Sequence, residues 1–292
     1  MNLWHRLSLC LLFIFILNSP ALALDNKALI KIVQDEEHRL NAQIGVAIFD
    51  TQTNQTVSYK GNELFPLNST HKTLICAALL KGFDNKQIDI TEKVEFSKTD
   101  IIEYSPITKN QTKSKSMNWL DLCSAAVSYS DNTAANLIHK KVGGPQAMNH
   151  FFKQLKDHTT RLDRFEPELN SAINGDLRDT TSPNAIAYTL KELLFSNFLS
   201  PSSRKQLIQW MIDDKVADAL LRSKLPNDWK IADKTGAGGF GSRGIIAAVW
   251  PKTDKPIIIA IYIKNTKANM EERNSSIAII GKHIFDSYQK KK

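Results

Sequence analysis

Ser69 and Lys72 stand three residues apart at the head of an apolar run, Leu74 to Leu80. On a helix, positions i and i+3 share a face. A serine hydroxyl there becomes a nucleophile when a nearby lysine of depressed pKa takes its proton. The spacing alone is weak, because Ser202/Lys205 and Ser287/Lys290 repeat it. Taken singly it reads as a helix cap beside a surface lysine. Three later segments supply what an acylation site still lacks. Ser130-Asp131-Asn132 offers a hydroxyl to pass a proton to a leaving nitrogen and an amide to hold a substrate carbonyl. Asp131 is placed to cap the helix that follows. Glu166 and Asn170 lie four residues apart in a loop and can hold one water between them, with Glu166 as general base toward an ester. Lys234-Thr235-Gly236-Ala237-Gly238-Gly239 combines a cation and a hydroxyl for a carboxylate with glycines that admit a close backbone. The N–H of Ala237 can pair with that of Ser69 around an oxyanion. Arg243 adds a second cation for the carboxylate. Each segment also has an ordinary reading as a helix start, an acidic loop or a hairpin turn. Their conjunction in one order in one chain points to acylation of a serine followed by release with water.

These groups need rigid elements to hold them. Apolar periodicity predicts helices over 26–41, 70–81, 119–128, 134–141, 145–155, 183–195, 210–222 and 273–288. Strand-like stretches fall at both ends, over 43–49, 56–59, 229–235, 244–250 and 256–264. Residues 162–179 carry little periodicity and form a long loop, a kind of segment that is usually functional. The economical architecture is α/β. One antiparallel sheet forms from both chain ends, over 24–61 and 211–292, with helices on its faces, and an all-helical domain over 62–210 is inserted. A small-molecule site is expected in the cleft between them.

The chain has 292 residues, 42% hydrophobic and 23% charged, which suits a globular protein of one large or two small domains. Residues 1–23 read as a secretory signal peptide. A weakly basic start precedes the apolar stretch from Leu7 to Leu17, and Ala21 and Ala23 sit at the −3 and −1 positions. That apolar stretch is too short to span a bilayer. The expectation is a soluble periplasmic monomer with no membrane anchor after cleavage. Cys76 and Cys123 then remain, as one disulfide or as two buried thiols. The formal charge of +8 comes from scattered residues, and the only basic run is the terminal Lys290-Lys291-Lys292, so nucleic acid is not an expected partner. The seven histidines form no close-spaced set, which argues against a metal site. No cofactor is implied.

The motifs resemble those of the class A serine β-lactamases, a family for which this trio of motifs is a known signature. The resemblance runs from about Asp25 to Tyr288, and Gly239-Phe240-Gly241-Ser242-Arg243 is most similar to the carbenicillin-hydrolysing subgroup. It implies a five-stranded antiparallel sheet flanked by helices, plus an all-α domain. It implies a Ser69 acyl-enzyme, deacylation by water through Glu166, and Ser130 as proton donor to the lactam nitrogen. The acylation base is left open between Lys72 and Glu166. Lys234, Thr235 and Arg243 would bind the β-lactam carboxylate, Gly236 and Ala237 would line the substrate, and Asn132 and Asn170 would place the side-chain carbonyl and the water. Tyr104 matches an aromatic that lines the cleft, and Cys76–Cys123 matches a disulfide of many members. Three residues depart from the pattern. His71 replaces the usual phenylalanine and is expected to face away from Ser69 with little effect. Phe165 replaces a commoner tryptophan, leucine or isoleucine. Lys234 replaces the arginine of the carbenicillin-hydrolysing subgroup. No cysteine lies beside Ser69 or Gly238, so the site disulfide of some carbapenem-hydrolysing members cannot form. The expected activity is hydrolysis of penicillins and some cephalosporins. The rival is a penicillin-binding transpeptidase or carboxypeptidase, which lacks the Glu166/Asn170 loop in this form. A catalytically idle sensor domain is disfavoured by the complete set of reactive residues.

Overall fold

The strand Ile257–Lys264 is apolar at nearly every position, and such a strand needs cover on both faces. The computed structural model, which describes residues 26–111, 116–252 and 255–289, provides that cover. The expected signal peptide and the terminal lysine run lie outside the described residues. Strands β1 (Gln43–Asp50), β2 (Gln55–Tyr59), β3 (Lys230–Ala237), β4 (Arg243–Trp250) and β5 (Ile257–Lys264) form one antiparallel sheet in the order β2-β1-β5-β4-β3. The two chain ends therefore interleave, with β1 paired residue for residue to β5 from Gln43/Lys264 to Asp50/Ile257.

Period-2 alternation sorts the β5 side chains between two cores. Ile257, Ile259, Ile261 and Ile263 face the helices α1 (Asn26–Leu40) and α8 (Met270–Gln289). Ile258, Ala260 and Tyr262 face the helical side, joined there by Ala47, Ala232 and Ala248. The small residues on that face let α6 (Pro183–Phe195) lie close across β1 and β5.

The rest of the helical part is α2 (His71–Asp84), α3 (Trp119–Ser128), α4 (Asn132–Lys141), α5 (Gly144–Gln154) and α7 (Pro201–Ile212). Among its buried residues α2 counts every position from His71 to Ala77, so it is the central helix of this part. A helix expected over 210–222 is instead displaced toward the N-terminus as α7. Ser200 caps α7 by accepting the N–H of Ser203, and Pro201 takes the first turn, where its missing N–H costs nothing. Past Ile212 the Asp214 side chain accepts the N–H of Val216, and this Asx turn stops a helix that apolar periodicity alone would continue.

Cys76 of α2 and Cys123 of α3 are joined in a disulfide closing 47 residues of sequence. Chain entropy assigns such a closure about 4 kcal/mol, an upper figure. Replacing both cysteines with alanine should lower the unfolding free energy in urea by roughly 2–4 kcal/mol. Hydrolysis by the folded fraction should persist.

Candidate active site

The seat of Ser69 is built from three directions. Phe65–Pro66 pairs with Thr180–Thr181, which ties the chain before Ser69 to the end of the long loop. A single 3-10 turn, Asn68–Thr70, then runs directly into α2. Thr70 Oγ1 donates to the Leu67 carbonyl at 2.6 Å and meets the Tyr262 hydroxyl of β5 at 2.9 Å. From the third side comes β3. A Cβ on Gly236 would sit 2.9 Å from the Ser69 nitrogen and 3.1 Å from the Leu67 oxygen, so only glycine lets the strand lie there. That contact puts Ala237, the next residue, beside the Ser69 backbone.

One helical turn past Ser69 begins a buried ionic cluster. The Lys72 ammonium donates to the Ser130 carbonyl at 2.7 Å and to Asn132 Oδ1 at 2.5 Å, and stands 3.4 Å from Ser130 Oγ. It is 3.1 Å from Glu166 Oε1, and both side chains are fully buried. Burial pulls the Lys72 pKa below its usual range, while the Glu166 carboxylate pulls it back up. Asn132 Nδ2 donates to the Glu103 carbonyl and its backbone N–H to that of Tyr104, which fixes the rim carrying Tyr104. Asp131 anchors the same rim. Its carboxylate accepts the N–H groups of Ile107 and Thr108 and also caps α4 through Ala134.

The long loop is closed at its neck and held from within. Arg164 Nε meets Asp179 Oδ2 at 2.5 Å, and Asp179 Oδ1 accepts the N–H groups of Asp163 and Arg164. Asn136 clamps the Glu166 peptide from both sides, accepting its N–H at 2.9 Å and donating to its carbonyl at 2.8 Å. Asn170 Nδ2 donates to Glu166 Oε2 in a short hydrogen bond. Asn170 Oδ1 is buried without a partner among the described residues. The loop touches the end of β3 where Gly239 N–H donates to the Asn170 carbonyl at 2.8 Å. A Cβ on Gly238 would lie 2.5 Å from that carbonyl. These glycines therefore admit the protein's own loop.

At the other end of the cleft lies the cationic pair. Lys234 is fully buried, 4.0 Å from Asp214. Burial lowers its pKa to about 8, against the partial restoring effect of Asp214. Arg243 Nε donates to Asn274 Oδ1 at 2.8 Å and its Nη1 to the Gly236 carbonyl at 3.0 Å. Burial, with Arg273 nearby, lowers Arg243 to about 10.

One cavity of about 790 Å³ is lined by Ser69, Tyr104, Ser130, Asn132, Asn170, Thr235, Gly236, Ala237 and Arg243. Lys72, Glu166 and Lys234 are buried behind this lining, where Lys72 bonds Ser130 and Asn132, Glu166 bonds Asn170, and Lys234 bonds the Thr235 carbonyl. The residues singled out in the sequence for chemistry thus line this cavity or bond to residues that line it. Three of the supports stand in left-handed backbone, Asn68 (φ 45°), Tyr104 (φ 56°) and Ser130 (φ 60°), where non-glycine residues are strained. The sequence reading overlooked Asn136 and Asn274 as supports. Asn136 had a signal, since it lies one turn beyond Asn132 on the same face of α4. Asn274 had none, because its contact with Arg243 crosses 31 residues. No group of His, Cys, Asp and Glu among the described residues is arranged to hold a metal ion. No helix among them is long and apolar enough to cross a membrane.

A family model described as the β-lactamase enzyme family matches residues 27–288. The chain belongs to the β-lactamase family. It is similar to β-lactamase AER-1 of Aeromonas hydrophila, with 50% identity over 92% of this chain and 88% of that protein. It is also similar to β-lactamase CARB-4 of Pseudomonas aeruginosa, with 44% identity over 95% of this chain and 98% of that one. Among solved structures, an ancestral class A β-lactamase superposes with a TM-score of 0.87 at 40% identity, covering 89% of this chain and 99% of its own. This chain is a class A β-lactamase, with the two-domain fold of its class.

Proposed function

We propose that this chain opens the lactam ring of penicillins first, and of some cephalosporins, through an ester on Ser69. Lys72 or Glu166 takes the Ser69 proton, and both groups are within one ionic cluster. The hydroxyl attacks the lactam carbonyl while the N–H groups of Ser69 and Ala237 receive the oxyanion. Ser130 delivers a proton to the departing nitrogen. Glu166 and Asn170 then hold a water, and Glu166 removes its proton as it attacks the ester. Asn132 holds the substrate's side-chain carbonyl, and Tyr104 lines the cleft beside it. Thr235, Lys234 and Arg243 hold its carboxylate, with Gly236 and Ala237 lying alongside.

The observation that carries this reading is the Lys72–Glu166–Asn170 cluster, whose Asn170 lines the same cavity as Ser69. A penicillin-binding transpeptidase has no need of such a hydrolytic arm. A hydrolysis panel of a penicillin, a carboxypenicillin, an oxyimino-cephalosporin and a carbapenem tests it. Turnover is expected on the first two, and no turnover on any of the four would overturn it.

The pH dependence follows from Lys234. Its cation is present below about 8 and is lost above that value, so anionic substrates should bind less well on the alkaline side. The kcat/KM profile for a penicillin should therefore fall through a limb near pH 8, with kcat falling less. Lys234→Arg should move that limb upward, because a guanidinium keeps its charge there. Export to the periplasm with cleavage after Ala23 fits the residues of the 1–23 segment. Mass spectrometry of secreted protein would test the cleavage site, and gel filtration the monomer. The division of the chain near 61 and 211 is part of the same proposal.

A further inference from the structure

His71 lies at the first position of α2, between the nucleophile and Lys72, and is buried. Its side chain, expected to be inert, reaches back to the nucleophile's own peptide. Nδ1 lies 2.7 Å from the carbonyl oxygen of Asn68. A carbonyl oxygen only accepts, so Nδ1 carries the hydrogen and donates. The His71 backbone N–H also turns toward the Asn68 carbonyl. That carbonyl and the Ser69 N–H belong to one planar trans peptide and point in opposite directions. Two donors on the buried side therefore hold the carbonyl inward and turn the Ser69 N–H outward, toward the cleft that Ser69 lines. The Ser69 nitrogen faces Gly236, next to Ala237. Asn68 sits at φ 45°, in the left-handed region that asparagine enters more readily than most residues but at some cost, and these two bonds hold its carbonyl there. Asn68 Nδ2, bonded to Ser242 Oγ at 3.0 Å, restrains the side chain but not the peptide plane.

We infer that His71 is a positioning residue that aims the Ser69 N–H into the oxyanion site by fixing the Asn68 carbonyl. Burial, then the Lys72 charge and more weakly that of Lys234, lowers the His71 pKa to about 3. The imidazole is thus neutral across the working range, with its donor in place throughout. The inference rests on the reading of Ser69 N–H as an oxyanion donor.

Two variants separate the hydrogen bond from the packing. Phenylalanine keeps the ring and loses the donor. Asparagine loses the ring, but its Nδ2 stands as many bonds from Cα as histidine Nδ1. Stopped-flow acylation with a penicillin should slow roughly three- to tenfold in His71→Phe, the usual net worth of one hydrogen bond. The dissociation constant of the initial complex should be unchanged. Phenylboronic acid, whose tetrahedral adduct places an oxygen in the oxyanion site, should bind His71→Phe more weakly by a similar factor. His71→Asn should stay within about twofold of the parent in both assays, since its donor is retained. Parent-like acylation by His71→Phe, or an equal loss in both variants, would overturn the inference. Should His71→Phe not fold, the ¹⁵N spectrum of the parent decides: a His71 protonated on Nδ1 is expected, and one protonated on Nε2 overturns the inference. A parent that never acylates contradicts the hydrolase reading itself, whereas normal acylation by all three proteins contradicts only the role of His71.

Discussion

Glu166→Ala is expected to acylate with a penicillin and then stay acylated. The Glu166 carboxylate is placed to take a proton from a water held by Asn170, whose Nδ2 already donates to it. Loss of a positioned general base slows a step by roughly 10²–10⁴-fold. Acylation should survive better, for an electrostatic reason. Burial depresses the Lys72 pKa, and Glu166 is the largest influence raising it. Removing the carboxylate therefore leaves Lys72 more often neutral and better able to act as the base toward Ser69. Intact-mass spectrometry should show an adduct of the full penicillin mass that persists long after substrate is exhausted. Rapid release of that adduct would remove Glu166 from deacylation.

Ser69→Ala should abolish turnover of a chromogenic cephalosporin, by as much as about 10⁶-fold if the site behaves as other serine hydrolases do. The carboxylate clamp of Lys234, Thr235 and Arg243 stays intact in this variant, so substrate should still bind. Equilibrium binding retained with hydrolysis lost is the expected pattern. Parent-like turnover would take the nucleophile's role away from Ser69.

Much of the site was legible because its chemistry is written in short segments. Ser69/Lys72, Ser130/Asn132, Glu166/Asn170 and Lys234/Thr235 are each separated by four residues or fewer, so helix or loop geometry already relates the two members of a pair. The strands were legible for a similar reason, through β-branched runs bounded by turns, as in β4 and β5. What escaped depends on distance in sequence or on polar side chains competing with apolar pattern. The α7 displacement turns on the Ser200 cap and the Asp214 turn, which periodicity cannot register. The Asn274–Arg243 bond crosses the sheet domain and leaves no local trace. The left-handed backbone at Asn68, Tyr104 and Ser130 is invisible for another reason. No glycine marks these positions, and surrounding contacts hold the strain. His71 was visible as a departure from the family pattern, but its contact with the Asn68 carbonyl was not, because that depends on how one imidazole is turned.

The central claim is that an acyl-enzyme on Ser69 forms and is released by water. Mixing the unaltered protein with a penicillin, and following intact mass and penicilloic acid together, tests it most directly. The account predicts a transient adduct on the peptide containing Ser69 and many moles of penicilloic acid per mole of protein. A single stoichiometric adduct that persists, with no excess of penicilloic acid, would contradict it and identify a penicillin-binding acyl transferase instead.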